Sequence, residues 1–350
     1  MPSSAVPASV AAPPATLEVT VVVPVRNEGT HIEAVLGDLL AQRFPPERME
    51  VLVVDGRSTD DTRARVEGVA ARDARVRLLD NPRRRSSAAR AIGAAAARGR
   101  FVAYVDGHCR IPSPTLLADM VDLFERTGAD CLARPQPLVA AGGGRGARAI
   151  AAARTSPFGH STASEIYRDG ERRTSPVSSG AMYRRDVFAR VGPFDVTFDA
   201  CEDVELNTRV EQAGLVTWTS DRLAVAYEPR ATYGALFRQM ARYGLGRARL
   251  HRKHPSSFTV ESLVPAAFVA GLPALAAAPG LPRVVTAVVA GGYALYALLA
   301  LGFAVAATRG LGMATTLRTA LAFPVLHAGL GVGYLRGRFT PAPSASEGGA

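Results

Sequence analysis

Four short runs of apolar and β-branched residues decide what the first third of this chain can become. They are "EVTVVVPV" (18–25), "MEVLVVD" (49–55), "RVRLLD" (75–80) and "RFVAYVD" (100–106). Between them lie segments with helical apolar spacing or helix-starting residues, at 29–42, 59–72 and 86–98. Strands this uniformly apolar are covered on both faces, and strands separated by helices pair in parallel. The pattern therefore predicts an α/β domain on a mostly parallel sheet with helices on both faces. Ligands of such sheets gather at the carboxyl ends of the strands. Asp55 and Asp106 both stand at such ends.

Beyond residue 110 the alternation weakens. A helix is expected around 114–127, then a glycine-rich loop in "PLVAAGGGRGARA" and a polar Ser/Thr-rich stretch at 155–179. "EDVELNTRVEQAG" (202–214) reads as a helix whose acidic first turn suits the helix dipole. "FRQMARYGLGRARLHRKH" (237–254) is basic and amphipathic, as a helix on a membrane surface would be.

Residues 261–335 are almost free of charge. The run 284–307 holds 24 uncharged residues, enough for a spanning helix, which needs roughly 20. A third run, 311–335, is interrupted by Arg318, so its spanning part is expected to start near Thr319. The first run, 263–278, carries Pro265 and Pro273 and reads as a kinked span or an in-plane helix. A buried soluble hairpin is the competing reading. Arg309, Arg318 and the basic segment before residue 255 suggest cytoplasmic ends, while Arg336 and Arg338 fit that rule poorly if three spans exist. The expected division is a disordered leader at 1–16, an α/β domain at 17–230 and an amphipathic membrane-proximal segment at 231–260. Two to three transmembrane helices at 261–338 and a disordered tail at 339–350 complete it.

The net charge of +10 is almost wholly arginine, Lys253 being the one lysine. No nucleic-acid module accompanies it, and the arginines are scattered among acids, so a membrane surface or anionic substrates are the expected partners rather than nucleic acid. Three cysteines without CxxC spacing argue against a disulfide framework and for a reducing compartment. Each reads as a small buried residue, Cys109 included.

The chemistry-bearing segments are "VVVPVRNE" (21–28), "VVDGRSTDDT" (53–62), "SSAARAIGAAAARGRFVAYVDGH" (86–108), "EDVELNTR" (202–209) and "RQMARYGLGR" (238–247). In that order, over about residues 18–250, the chain resembles family 2 glycosyltransferases of GT-A fold, and among them the bacterial exopolysaccharide enzymes of succinoglycan type. The resemblance implies that Asp55 contacts the uracil of a nucleoside diphosphate sugar, with Pro24, Arg26 and Glu28 beside the same nucleotide. Arg90 matches an arginine near the nucleotide, although Ala91 stands where the family has Asn.

Asp106 and His108 occupy the family's Asp-x-Asp position, which implies a divalent cation bridging the diphosphate. The histidine favours Mn²⁺ over the oxygen-seeking Mg²⁺. Alternatively His108 donates to phosphate or simply packs. Glu202 and Asp203 match the family's Glu-Asp pair, which implies Asp203 as the general base with Glu202 raising its pKa. A helix first turn rich in acids for dipole reasons alone is the plainer alternative. Gln239, Arg242 and Tyr243 resemble the Gln-x-x-Arg-Trp motif, implying diphosphate contact by Arg242 and stacking of an acceptor sugar on Tyr243. The plainer reading there is an interfacial helix with Arg242 facing headgroups. Asp60 and Asp61 are read as helix caps, Arg83, Arg84 and Arg85 as a solvated run, and Asp199 and Glu205 as solvent-facing.

The resemblance thus implies a multi-pass enzyme of the bacterial inner membrane with its catalytic domain in the cytoplasm. It would be an inverting, metal-dependent hexosyltransferase moving sugar from a UDP-sugar to a lipid-linked saccharide, with other polysaccharide-assembly proteins as possible neighbours. A processive polysaccharide synthase is the alternative enzyme, although two or three helices are few for a polymer channel. A non-catalytic nucleotide-sugar-binding membrane protein is the alternative of another class.

Overall fold

The computed structural model describes residues 17–340 apart from 141–143, 162, 163, 165, 168, 178, 278, 279 and 281. The expected leader and residues 341–350 of the expected tail lie outside the described residues. In chain order the first elements are β1 (Val19–Val25), α1 (Ile32–Leu40), β2 (Met49–Asp55), α2 (Thr62–Ala70), β3 (Val76–Asp80), α3 (Ser86–Ala96), β4 (Phe101–Tyr104), β5 (Cys109–Arg110) and α4 (Leu116–Thr127). There follow β6 (Cys131–Ala133), α5 (Arg145–Thr155), β7 (Arg172–Arg173), β8 (Gly180–Arg184), α6 (Val187–Val191), α7 (Glu202–Gln212), β9 (Thr217–Thr219) and β10 (Ala226–Tyr227). The chain then turns helical, in α8 (Tyr233–Lys253), α9 (Val264–Ala276), α10 (Arg283–Ala307) and α11 (Met313–Phe339).

The sheet order is β3-β2-β1-β4-β8-β6-β9-β7, and β5 pairs separately with β10. The first four strands are parallel, with Val25 opposite Asp55 and Asp55 opposite Asp80, so the ends of β1, β2 and β3 are level, while β4 ends at Tyr104 opposite Val22. The β-branched runs have a plain cause. Val21, Val23, Val51 and Val53 are buried with Leu36 and Leu39 of α1 and Phe124 of α4, while Val22, Val54 and Val102 are buried with Ala89 of α3 and Leu206 and Val210 of α7. Alternate side chains thus enter two separate cores, so both faces select apolar residues. Each such Val or Leu contributes about 1.5–3 kcal/mol by its burial.

The second half of the sheet departs from the parallel pattern. Strand β8 is antiparallel to both β4 and β6. Irregular connections carry the chain between these short strands, which is why their signal in the sequence is weak.

Among the described residues one helix, α10, is long and apolar enough to cross a membrane, with mean hydropathy 2.0 over its most apolar window. Its Val284, Val288, Leu295, Leu298 and Val305 point outward. The expectation of two or three spans is not supported. Helix α9 has 13 residues, short of the roughly 20 a span requires. Helix α11 has 27 residues but spends one face on α8. Gly329, Gly333 and Gly337, spaced by four, lie directly on the α8 backbone. A Cβ at Gly329 would stand 2.8 Å from the Phe237 carbonyl oxygen, and one at Gly337 would stand 2.9 Å from that of Leu245. Gly244 of α8 meets the Leu330 carbonyl in the same way. The apolar face of α8 expected on a membrane surface is therefore covered by protein.

Candidate active site

The loops after β1, β2 and β3 form one rim of the site. Asn27, Arg57 and Arg84 in these loops, with Cys201 ahead of α7, are the non-glycine residues of positive φ among the described residues. Such conformations cost of order 1–3 kcal/mol and persist only where the surroundings enforce them. Here hydrogen bonds do so. The Asn27 N–H donates to Ser58 Oγ at 2.9 Å, and Asn27 Oδ1 accepts from the Thr59 N–H at 2.8 Å. Asp55, 1% exposed, accepts from Ser58 Oγ at 2.6 Å and faces Arg63 at 3.7 Å.

Asp60 accepts from Thr62 and from the Gly29 N–H at 3.1 Å, so it caps α2 and ties it to the β1 loop, as the sequence suggested. Asp61 instead pairs with Arg65. Pro24 is partly buried in β1 and Arg26 is exposed just beyond it.

The Asp-Gly-His turn follows β4. Its glycine lies against the end of β1, where a Cβ would meet Val25 Cγ1 at 2.7 Å and Glu28 Cγ at 3.2 Å. That closeness brings His108 Nδ1 to 2.9 Å from Glu28 Oε1. Glu28, expected beside the nucleotide, is thus engaged with His108. The other ring nitrogen, Nε2, is buried without a hydrogen-bond partner among the described residues, and the ring meets Tyr227 edge-on at 5.2 Å. Burial disfavours the imidazolium, but the Glu28 hydrogen bond and the Asp106 charge outweigh it and raise the His108 pKa.

Arg90 joins the turn to α7. Its Nη2 donates to Asp106 Oδ1 at 2.5 Å, its Nε stands 3.4 Å from Glu202, and its guanidinium lies over the Tyr104 ring. Burial alone would raise the Asp106 pKa, but Arg90, His108 and Arg134 bring it below the usual carboxylate value. Glu202 goes the other way. Burial, assisted by the Asp203 charge, raises it against the pull of Arg90. Asp203 is only partly buried, and its Oδ1 accepts from the Val204 N–H at 2.8 Å.

On α8, Gln239 is 7% exposed and its Nε2 donates to Tyr227 Oη at 3.1 Å and Tyr243 Oη at 3.3 Å. Tyr243 keeps 37% of its surface exposed. Arg242 is exposed and donates to the Asp199 carbonyl at 3.0 Å. Two surface expectations are corrected. Glu205 is 0% exposed and binds Arg209, Lys253 and His254, and Arg85 is only one-fifth exposed and pairs with Asp199 at 2.9 Å. Both are held because they tie segments distant in sequence. Tyr227, Arg134 and Arg154 went unnoticed in the sequence because nothing local distinguishes them; only the fold brings them to the site.

An oxygen from Asp106 and the unpartnered His108 Nε2 suit a divalent cation that accepts mixed oxygen and nitrogen ligands. Among the described residues no group of three or more His, Cys, Asp and Glu side chains could hold a metal, so two protein ligands are what this turn offers. The three cysteines are buried and unpaired, as expected.

A mostly parallel sheet with Asp55, Asp106, Glu202 and Asp203 assembled beside its strand ends is a nucleotide-sugar transferase architecture, the GT-A type. The fold matches that of the mannosyltransferase PcManGT from Pyrobaculum calidifontis, solved with GDP-Man and Mn²⁺, at TM-score 0.61 and 20% identity over 92% of this chain and 87% of that one. The family profile described as "Glycosyl transferase family 2" matches residues 20–192. The chain is 32% identical over 255 residues to succinoglycan biosynthesis protein ExoA of Rhizobium meliloti (strain 1021), covering 71% of this chain and 74% of that protein. It is 21% identical over 255 residues to a Methanococcus voltae enzyme named dolichyl N-acetyl-α-D-glucosaminyl phosphate 3-β-D-2,3-diacetamido-2,3-dideoxy-β-D-glucuronosyltransferase, covering 67% and 74% of the two chains. This chain belongs to glycosyl transferase family 2.

Proposed function

We propose that this chain is a membrane-anchored, inverting glycosyltransferase that moves a hexose from a uridine diphosphate sugar to a lipid-linked saccharide during exopolysaccharide or cell-envelope glycan assembly. The observation that carries the reading is the Arg90 bridge, which ties Asp106 to Glu202, the chain neighbour of Asp203, on one ionic hub at the strand ends. The relatives support the chemistry: one is named for succinoglycan biosynthesis, and another for transfer to a dolichyl phosphate-linked sugar.

In this reading Asp55 accepts hydrogen bonds from the donor's base, with Pro24 and Arg26 along the nucleotide. Asp106 and His108 would hold a divalent cation, which the Mn²⁺ in the PcManGT structure supports, and the His108 nitrogen favours Mn²⁺ over Mg²⁺. When bound, that cation supplies Lewis-acid neutralisation of the departing nucleoside diphosphate. Glu28 orients His108, and Arg90 orients Asp106 and Glu202.

Asp203 takes the proton from the acceptor hydroxyl as its oxygen bonds to the anomeric carbon. The bond from that carbon to the diphosphate breaks on the opposite face, and configuration inverts. Tyr243 presents a half-open ring for stacking the acceptor sugar, and Gln239 fixes that ring. Helix α10 anchors the chain in the bacterial cytoplasmic membrane with the α/β domain on the cytoplasmic side.

The test is donor and acceptor screening in detergent with Mn²⁺ or Mg²⁺, read by nucleoside diphosphate release and product mass. Single-sugar addition is expected; long chains from one encounter would establish a processive synthase instead.

A further inference from the structure

Three side chains meet at Tyr227, and each carries a buried polar atom without a hydrogen-bond partner among the described residues: His108 Nε2, Arg154 Nη1 and Gln239 Oε1. The His108 ring meets the Tyr227 ring at 5.2 Å, the Arg154 guanidinium lies 5.9 Å from its centroid, and Gln239 donates to its hydroxyl at 3.1 Å. His160 Nε2, a few residues beyond α5, is a fourth such atom. Burial, with the Arg154 and Arg247 charges, pushes the His160 pKa down to about 4, so the ring is neutral and the arginines carry the local charge.

The proposed cation accounts for His108. It does not account for Arg154. A buried guanidinium N–H without an acceptor is costly, and an anion bound beside it removes that cost.

Position narrows the choice of anion. Arg154 stands in the last turn of α5, and its neighbours Ile150 and Ala153 are buried with Ala300 and Ala304 of α10 and Phe323 and Leu326 of α11. Arg154 therefore lies where the α/β domain meets α10, the one helix among the described residues apolar enough to cross a membrane. A charged group attached to an apolar tail would have both of its parts satisfied at this seam.

We propose that Arg154, with His160 beside it, forms a subsite for the phosphate or diphosphate that joins the acceptor saccharide to its lipid. The inference rests on the lipid-linked acceptor proposed above. It goes beyond that reading by separating the acceptor's phosphate from the donor's, which belongs at Asp106 and His108. Because both substrates carry phosphate, the test must distinguish them.

Full-length protein in detergent is titrated by calorimetry with farnesyl diphosphate, with farnesol as the tail-only control, and with UDP. Wild type is expected to bind farnesyl diphosphate well above farnesol. Arg154→Met is expected to weaken farnesyl diphosphate roughly 10- to 100-fold, the loss of one charge-assisted hydrogen-bonding group, and to leave UDP affinity unchanged. Arg154→Lys should recover part of the loss, and His160→Ala should lower farnesyl diphosphate affinity alone. Thermal melting shows whether each variant is folded, and if the Met variant is not, the Lys and His160 variants decide.

An equal fall in UDP affinity in a folded variant would give Arg154 to the donor and overturn the proposal. So would unchanged farnesyl diphosphate binding, or wild type binding it no better than farnesol. The lipid-acceptor reading fails separately, if sugar passes only to water-soluble acceptors.

Discussion

Glu28 Oε1 lies 2.9 Å from His108 Nδ1, across 80 residues of sequence. A carboxylate accepts but does not donate, so the ring hydrogen sits on Nδ1 and the lone pair of neutral His108 on Nε2. The atom so exposed for binding is the one left buried and unpartnered. Carboxylates that orient a ligating histidine in this way raise its basicity and fix its direction.

Glu28→Gln is accordingly expected to weaken Mn²⁺ binding about 10- to 100-fold, measured by electron paramagnetic resonance without donor or turnover. His108→Ala should weaken it at least as much, with little change in melting temperature. Mn²⁺ affinity untouched in both variants would remove this turn from the metal site.

Asp203→Asn should lower sugar transfer by about 10²–10⁴-fold, the usual contribution of a general base, while UDP binding persists. Product formation and calorimetry on the same preparation check this. Near-normal transfer by the variant would show that the acidic first turn of α7 serves only the helix.

Glu205 is expected to be a stability residue. Removing it takes a shared buried carboxylate from Arg209, Lys253 and His254, and Glu205→Ala should cost about 3–5 kcal/mol. Burial raises its pKa, but Arg209, Lys253 and His254 bring it below the ordinary 4.5. A depressed folded-state pKa contributes stability that is present above 4.5 and lost as pH falls through the lower folded value. Denaturant titrations should therefore show wild-type stability declining below about pH 4.5 more steeply than that of the variant.

Leu295 and Leu298 face outward from α10. Replacing both with Arg is expected to reduce membrane retention, because each charge at a span's centre costs about 2.5–3.5 kcal/mol on insertion. Fractionation of cells expressing the two forms would check it; equal retention would move the anchor elsewhere.

Much of the candidate site's placement was legible because its parts close short local patterns. Asp55 ends β2, and Asp106 lies just past β4, so finding the strands found the acids. Glu202 and Asp203 open α7, which its acidic first turn announced. Spans were less legible. The composition of 311–335 suits lipid and protein equally, and only the glycines set against the α8 backbone show that α11 packs on protein.

Strand periodicity, helix starts and the identity of the strand-end acids follow from the order of residues, because neighbours a few positions apart impose them. The partners do not. The Glu28 hydrogen bond to His108, the burial of Glu205 among three cations and the Arg242 hydrogen bond to the Asp199 carbonyl cannot be read from neighbouring residues. Only packing set them, since a charged side chain removed from water must find whatever opposite charge or hydrogen bond the fold brings within reach.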